Sequence, residues 1–103
     1  MSKQIRTEGM DHLMDAVLSL RDREEAYRFF DDLCTVGELE AMQQRFSVAG
    51  MLTKEKTYQE IADKTGASTA TISRVNRALH YGDDGYYMVL ERLWAQGEAA
   101  AGD

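Results

Sequence analysis

Between Thr57 and Leu79 the chain carries hydroxyl, amide and guanidinium groups at spacings suited to contact with a polyanion. Thr69, Ala70, Thr71, Ser73, Arg74, Asn76 and Arg77 fall in one short stretch with no carboxylate among them. Hydroxyls exchange hydrogen bonds with base edges and phosphates, arginine neutralises phosphate or forks onto guanine, and short side chains let a helix approach a duplex closely. Just upstream, Lys54, Lys56, Tyr58, Gln59 and Ser68 add two cations, a ring, an amide and a further hydroxyl. Other chemistry is poorly supplied. There is no nucleophile–base pair, Cys/His cluster or glycine-rich phosphate loop, so neither an enzyme nor a bound metal or cofactor is expected. His12 and His80 stand far apart without an acidic or thiol partner at ligand spacing. Cys34 lies on an apolar stripe and reads as a core thiol, Asp83-Asp84 before Gly85 as turn and cap chemistry, and Trp94 with Tyr86 and Tyr87 as packing.

The elements that must hold these groups are helical. Thr57 with Glu60 forms a capping box opening a helix, and Ile61 points inward beside the small Ala62. Gly66 ends that helix where a left-handed conformation is cheap only for glycine, and Ser68 caps the next. Ile72, Val75 and Leu79, at i, i+3 and i+7, pack the second helix on the first. The spacing predicts a helix-turn-helix over about 57–80 whose second helix suits a major groove, its N-terminal N–H groups free for a phosphate.

Further apolar stripes at helical spacing fall at Met10–Leu18, Ala26–Cys34 (opened by the Asp22 cap with Glu25), about 38–53, and Tyr86–Trp94. No proline occurs in the chain and no segment alternates as a strand does, so the fold class is all-α, six short helices. The expected organisation is a flexible N-terminus over 1–9, one helical domain over 10–95 and a frayed tail over 96–103. The surplus stripes of the first, second and last blocks favour a symmetric dimer, with a compact monomeric bundle as the alternative.

The chain has 103 residues and a formal net charge of −6. Acidity is unusual for a nucleic-acid binder, but residues 54–81 hold five basic side chains (Lys54, Lys56, Lys64, Arg74, Arg77) against three acidic ones (Glu55, Glu60, Asp63). Acid elsewhere is screened over a Debye length of about 8 Å. No apolar run suggests a membrane span and no charged N-terminus is followed by an apolar core, so a cytoplasmic location is expected.

Gly66-Ala-Ser-Thr-Ala-Thr-Ile-Ser-Arg-Val-Asn-Arg-Ala-Leu-His-Tyr-Gly82 resembles the Trp repressor superfamily, most closely its YerC/YecD-type branch. The similarity extends through Gln44-Arg45-Phe46, Ala49, Leu52, the Thr57-Tyr-Gln-Glu-Ile-Ala segment and the later Gly-Asp-Asp-Gly-Tyr, roughly residues 10–95. The resemblance implies an intertwined homodimer that represses transcription at a palindromic operator in double-stranded DNA. It also implies an amino-acid co-repressor flanked by two arginines, the second followed by a glycine. Arg74 stands at the second arginine, Gln44 at the first with Arg45 adjacent, Val75 at the glycine, and Ala78 where a hydroxyl is expected. The branched Val75 intrudes on the space for an indole, so the expected effector is a smaller amino acid, such as histidine, or none. The alternative function is a protein-interaction module that keeps the helix-turn-helix shape, suggested by net acidity and exposed aromatic stripes.

Overall fold

The computed structural model describes residues 5–100, with the backbone alone for 98–100. Among them are six helices and no strand: α1 (Glu8–Leu18), α2 (Arg23–Leu33), α3 (Val36–Thr53), α4 (Tyr58–Thr65), α5 (Thr69–Tyr81) and α6 (Gly85–Ala100). The all-α expectation holds. The chain divides into two compact units, the first running to Ala41 and the second from Met42, so α3 begins in one and ends in the other.

In the first unit the helices are set by local caps. Thr7 Oγ1 accepts from the Met10 N–H at 3.0 Å and starts α1 at Glu8, inside the stretch expected to be flexible. Asp22 Oδ1 accepts from the Glu25 N–H at 2.9 Å, and the Glu25 carboxylate reaches back to the Arg21 N–H. Thr35 and Glu38 exchange the same pair of bonds, at 3.1 and 2.8 Å, and start α3 at Val36, earlier than the apolar pattern suggests. The single chain does not bury the stripe expected to be covered in α1, and neither α1 nor α2 holds a buried residue. Leu18 is 81% exposed, Tyr27 70% and Val36 68%.

The second unit has a dry core of Val48, Ala49, Ile61, Ala67, Ile72, Val75, Leu79 and Leu90, with Met51, Leu52, Ala62, Tyr86 and Trp94 packed around it. Each of α3 to α6 contributes, and Ile61, Ile72, Val75 and Leu79 all point inward as their spacing requires. α6 runs on to Ala100 instead of ending near Trp94. Ala95, Gln96, Ala99 and Ala100 are good helix formers, and no proline interrupts them. Residues 1–4 and 101–103, the outer parts of the expected flexible ends, lie outside the described residues.

Two glycines fix how α5 is presented. Gly66 has φ +74°, and its N–H closes α4 on the Ala62 carbonyl at 2.9 Å. A Cβ there would meet nothing, so the cost of substitution is conformational. Gly66→Val is expected to lower stability by about 1–3 kcal/mol, and Gly66→Asn by less, because asparagine tolerates the left-handed region. Thermal unfolding followed by circular dichroism checks this, and an unchanged Tm for the valine variant would contradict it. Gly82 ends α5 by close approach: a Cβ there would lie 2.5 Å from the Ala78 carbonyl oxygen.

Candidate nucleic-acid interface

The capping box that opens α4 is complete. Thr57 Oγ1 accepts from the Glu60 N–H at 3.1 Å, and Glu60 Oε1 accepts from the Thr57 N–H at 2.8 Å. The Thr57 backbone N–H holds the Glu60 carboxyl below its ordinary value, helped by the Thr57 hydroxyl and the charge of Lys56, while slight desolvation acts the other way. A depressed folded-state pKa contributes stability above the unfolded value and loses it as pH falls through the folded one. Wild-type protein is therefore expected to lose more stability on acidification below the ordinary glutamate range than Glu60→Gln, measured by denaturant unfolding at stepped pH. Parallel curves would show that the carboxylate contributes nothing.

Three residues, Gly66 to Ser68, join α4 to α5. The Thr65 hydroxyl donates to the Ile61 carbonyl at 2.7 Å and accepts from the Ala67 N–H at 3.1 Å, and Ala67 is buried. Ser68 Oγ accepts from the Thr71 N–H and donates to Thr71 Oγ1, both at 3.1 Å. Ser68 thus spends its hydroxyl on the cap. The turn is over-determined, so α5 leaves it in one direction.

With Ile72, Val75 and Leu79 buried, the opposite face of α5 is open. Thr69, Ala70, Ser73, Arg74 and Arg77 are exposed, while Thr71 and Asn76 are half-buried. Neither guanidinium forms an ion pair with a described residue. Ala70, Ser73, Arg74, Asn76 and Arg77 line an open groove of about 660 Å³ whose other wall is Tyr58 of α4. His80 and Tyr81 extend it toward the end of α5. Sequence reasoning singles out neither as a nucleic-acid contact, because His80 has no ligand partner and Tyr81 stands at a turn. The signal is nonetheless present: His80 and Tyr81 stand seven and eight residues after Ser73, on its face of the helix. His80 donates Nδ1–H to the Asn76 carbonyl at 2.8 Å, and Nε2 has no partner among the described residues.

The other expected contacts are placed less uniformly. Lys54 and Lys56 are exposed in the turn between α3 and α4, where Glu55 takes φ +61°. Gln59 is exposed, but its amide donates to Asp63 Oδ1 at 2.9 Å. Lys54 lines a second groove, not the one beside α5. The expected effector residues are not gathered in either groove. Gln44 lines the second, Arg74 the first, Val75 is in the core at 2% exposure, and Arg45 and Ala78 are exposed. Among the described residues no group of His, Cys, Asp or Glu could hold a metal ion, and no helix is long and apolar enough to cross a membrane. Cys34 is half-buried with a free thiol.

Comparison with known proteins fits this arrangement. The family model described as "Trp repressor protein" matches residues 8–94. An uncharacterized protein, YerC, of Bacillus subtilis (strain 168) is 53% identical over 90 residues, which is 87% of this chain and 86% of that protein. A Trp operon repressor homolog of Chlamydia caviae is 30% identical over 94 residues, covering 90% of this chain and 93% of the other. The crystal structure of a TrpR like protein from Eubacterium eligens ATCC 27750 superposes with a TM-score of 0.85 at 57% identity, covering 87% of this chain and 93% of that one.

Proposed function

The chain belongs to the Trp repressor family, and from that premise we propose that it is a sequence-specific DNA-binding transcriptional regulator, a repressor acting as a homodimer on a palindromic operator. The observation that carries this reading is the open face of α5. Two guanidiniums with no ion pair among the described residues and a run of short side chains project from a helix locked by its cap and its buried stripe. Such a face lets the first turns of α5 approach base edges while Arg74 and Arg77 meet phosphate or guanine. Tyr58, Lys56 and the N-terminus of α4 would lie along the flanking backbone, and His80 would offer Nε2 at the groove's edge.

The homodimer is supported by what a single chain leaves uncovered. Met14, Leu18, Tyr27, Leu33, Met88 and Leu93 are all exposed, and helices with this much apolar surface are stabilised by a symmetric partner. A two-fold axis would place two copies of α5 one DNA turn apart, about 34 Å. Tryptophan is a poor candidate effector, because Gln44 and Arg74 line different grooves and the branched Val75 is buried in the core.

The test is selection of binding sites from a random-sequence duplex pool, followed by anisotropy titrations of the selected site at several salt concentrations. The expected result is a palindromic consensus and log K falling linearly with log salt. Enrichment of no sequence, or an affinity indifferent to salt, would remove the proposal.

A further inference from the structure

The groove beside α5 ends at a histidine. His80 stands exposed in the last turn of the helix, with the Tyr81 ring beside it at a centroid distance of 6.2 Å and Tyr58 of α4 on the opposite wall. Its own backbone orients the ring. The Asn76 carbonyl, 2.8 Å from Nδ1, can only accept, so Nδ1 carries a proton in both charge states of the imidazole. Nε2 is then a bare lone pair in the neutral ring and a cationic N–H donor in the imidazolium. Protonation reverses what this position offers a ligand, from a group that repels an anion to one that binds it.

The surroundings suit the charged form. Ser73, Arg77 and His80 lie at i, i+4 and i+7, one line along the open face of α5. That line is about 10 Å long at the helical rise. The charged or titratable groups that line the groove with His80 are Arg74, Arg77 and Tyr81 on α5 and Tyr58 on α4, with no carboxylate among them. Asp83 and Asp84, in the turn to α6, line no part of it, nor does any residue of α6. His80 has no ion pair with a described residue. A helix that enters a major groove by its N-terminal end sets its first turns against base edges and its last against the sugar-phosphate wall. The anion within reach of His80 is therefore a backbone phosphate.

We infer that His80 contacts a DNA phosphate as the imidazolium alone, so that DNA binding is coupled to uptake of a proton at Nε2. The inference rests on the function proposed above. It adds a dependence that arginine, charged throughout, cannot supply. Histidine side chains change charge between about pH 5 and 8. A bound phosphate favours the charged form, so the complex holds more protons than its free components, and affinity falls as pH rises through that range.

The test is anisotropy titration of the selected duplex with the intact protein, at constant ionic strength, from about pH 6 to about pH 8. Wild-type affinity is expected to fall at least about fivefold across these steps. His80→Gln should keep helix content, bind as wild type does at the alkaline end and lose the pH dependence. His80→Lys should hold the tighter affinity throughout. His12, the chain's other histidine, lies in the first unit, and His12→Gln should retain the wild-type profile. Calorimetric titration in buffers of different ionisation enthalpy should show net proton uptake by wild type and none by His80→Gln. An affinity flat in pH, a profile that survives His80→Gln, or absence of proton uptake overturns the His80 contact while DNA binding itself stands. An affinity that rises with pH would show Nε2 accepting from a base amino group, and overturns it equally. Failure to bind any selected duplex removes the proposed function and this inference together, a result distinct from all of these.

Discussion

Arg74→Ala/Arg77→Ala is expected to bind its selected duplex at least about 100-fold more weakly than wild type at physiological salt, with helix content and Tm preserved. Each arginine that meets phosphate or guanine contributes about 1–3 kcal/mol, and a dimer presents both twice. The slope of log K against log salt should become shallower by about 1 for each phosphate that a protomer no longer neutralises. Alanine is at least as good a helix former as arginine, and both side chains are exposed without a partner among the described residues, so the fold has no reason to respond. A slope that survives the double substitution would place the positive surface elsewhere, and the free cations Lys54 and Lys64 would be the next to replace. Thr71→Ala belongs beside it as a contrast. That hydroxyl is half-buried and tied to Ser68, so its removal should act through the cap of α5 more than through a base.

The stretch from Thr57 to Leu79 is legible in the sequence because everything that shapes it is local. A capping box spans four residues, the glycine turn three, and the buried stripe repeats every three or four. The same local logic applies to the Thr35–Glu38 box, but there the apolar pattern marks Glu38 as a helix start and hides its role as an N3 carboxylate. What sequence spacing cannot supply is which faces meet across elements. Resemblance pairs Gln44 with Arg74, yet α3 turns Gln44 toward the end of α4 and α5 turns Arg74 outward. Lys54, Lys64 and Trp94 come from three segments of the chain, and nothing in their separation foretells one groove. The burial of α1 and α2 is unreadable for another reason: a helical stripe states that a face wants cover, and is silent on whether the cover is the same chain or a second copy.

Ile61→Ala tests the platform on which both grooves are built. Ile61 is fully buried, and among the described residues the core it shares has seven other buried side chains. Removing a branched side chain from such a site costs the transfer free energy of the deleted carbons plus the cavity, about 2–5 kcal/mol. Natural domains have only about 5–15 kcal/mol in total, so this is a large share, and for a chain of this size it should lower Tm by more than about 10 °C. Ile61→Val, which keeps the branch and removes one methylene, should cost about 0.5–1.5 kcal/mol. Below its Tm the alanine variant should still bind DNA, because Ile61 supports α4 against α5 from within and contributes nothing to the exposed face. Thermal unfolding at matched protein concentration separates this core effect from dissociation of a dimer, whose Tm rises with concentration. A shift of less than about 3 °C for Ile61→Ala would mean that α4 is not seated on α5 by this side chain, and the fixed aim of Arg74 and Arg77 would lose its physical basis.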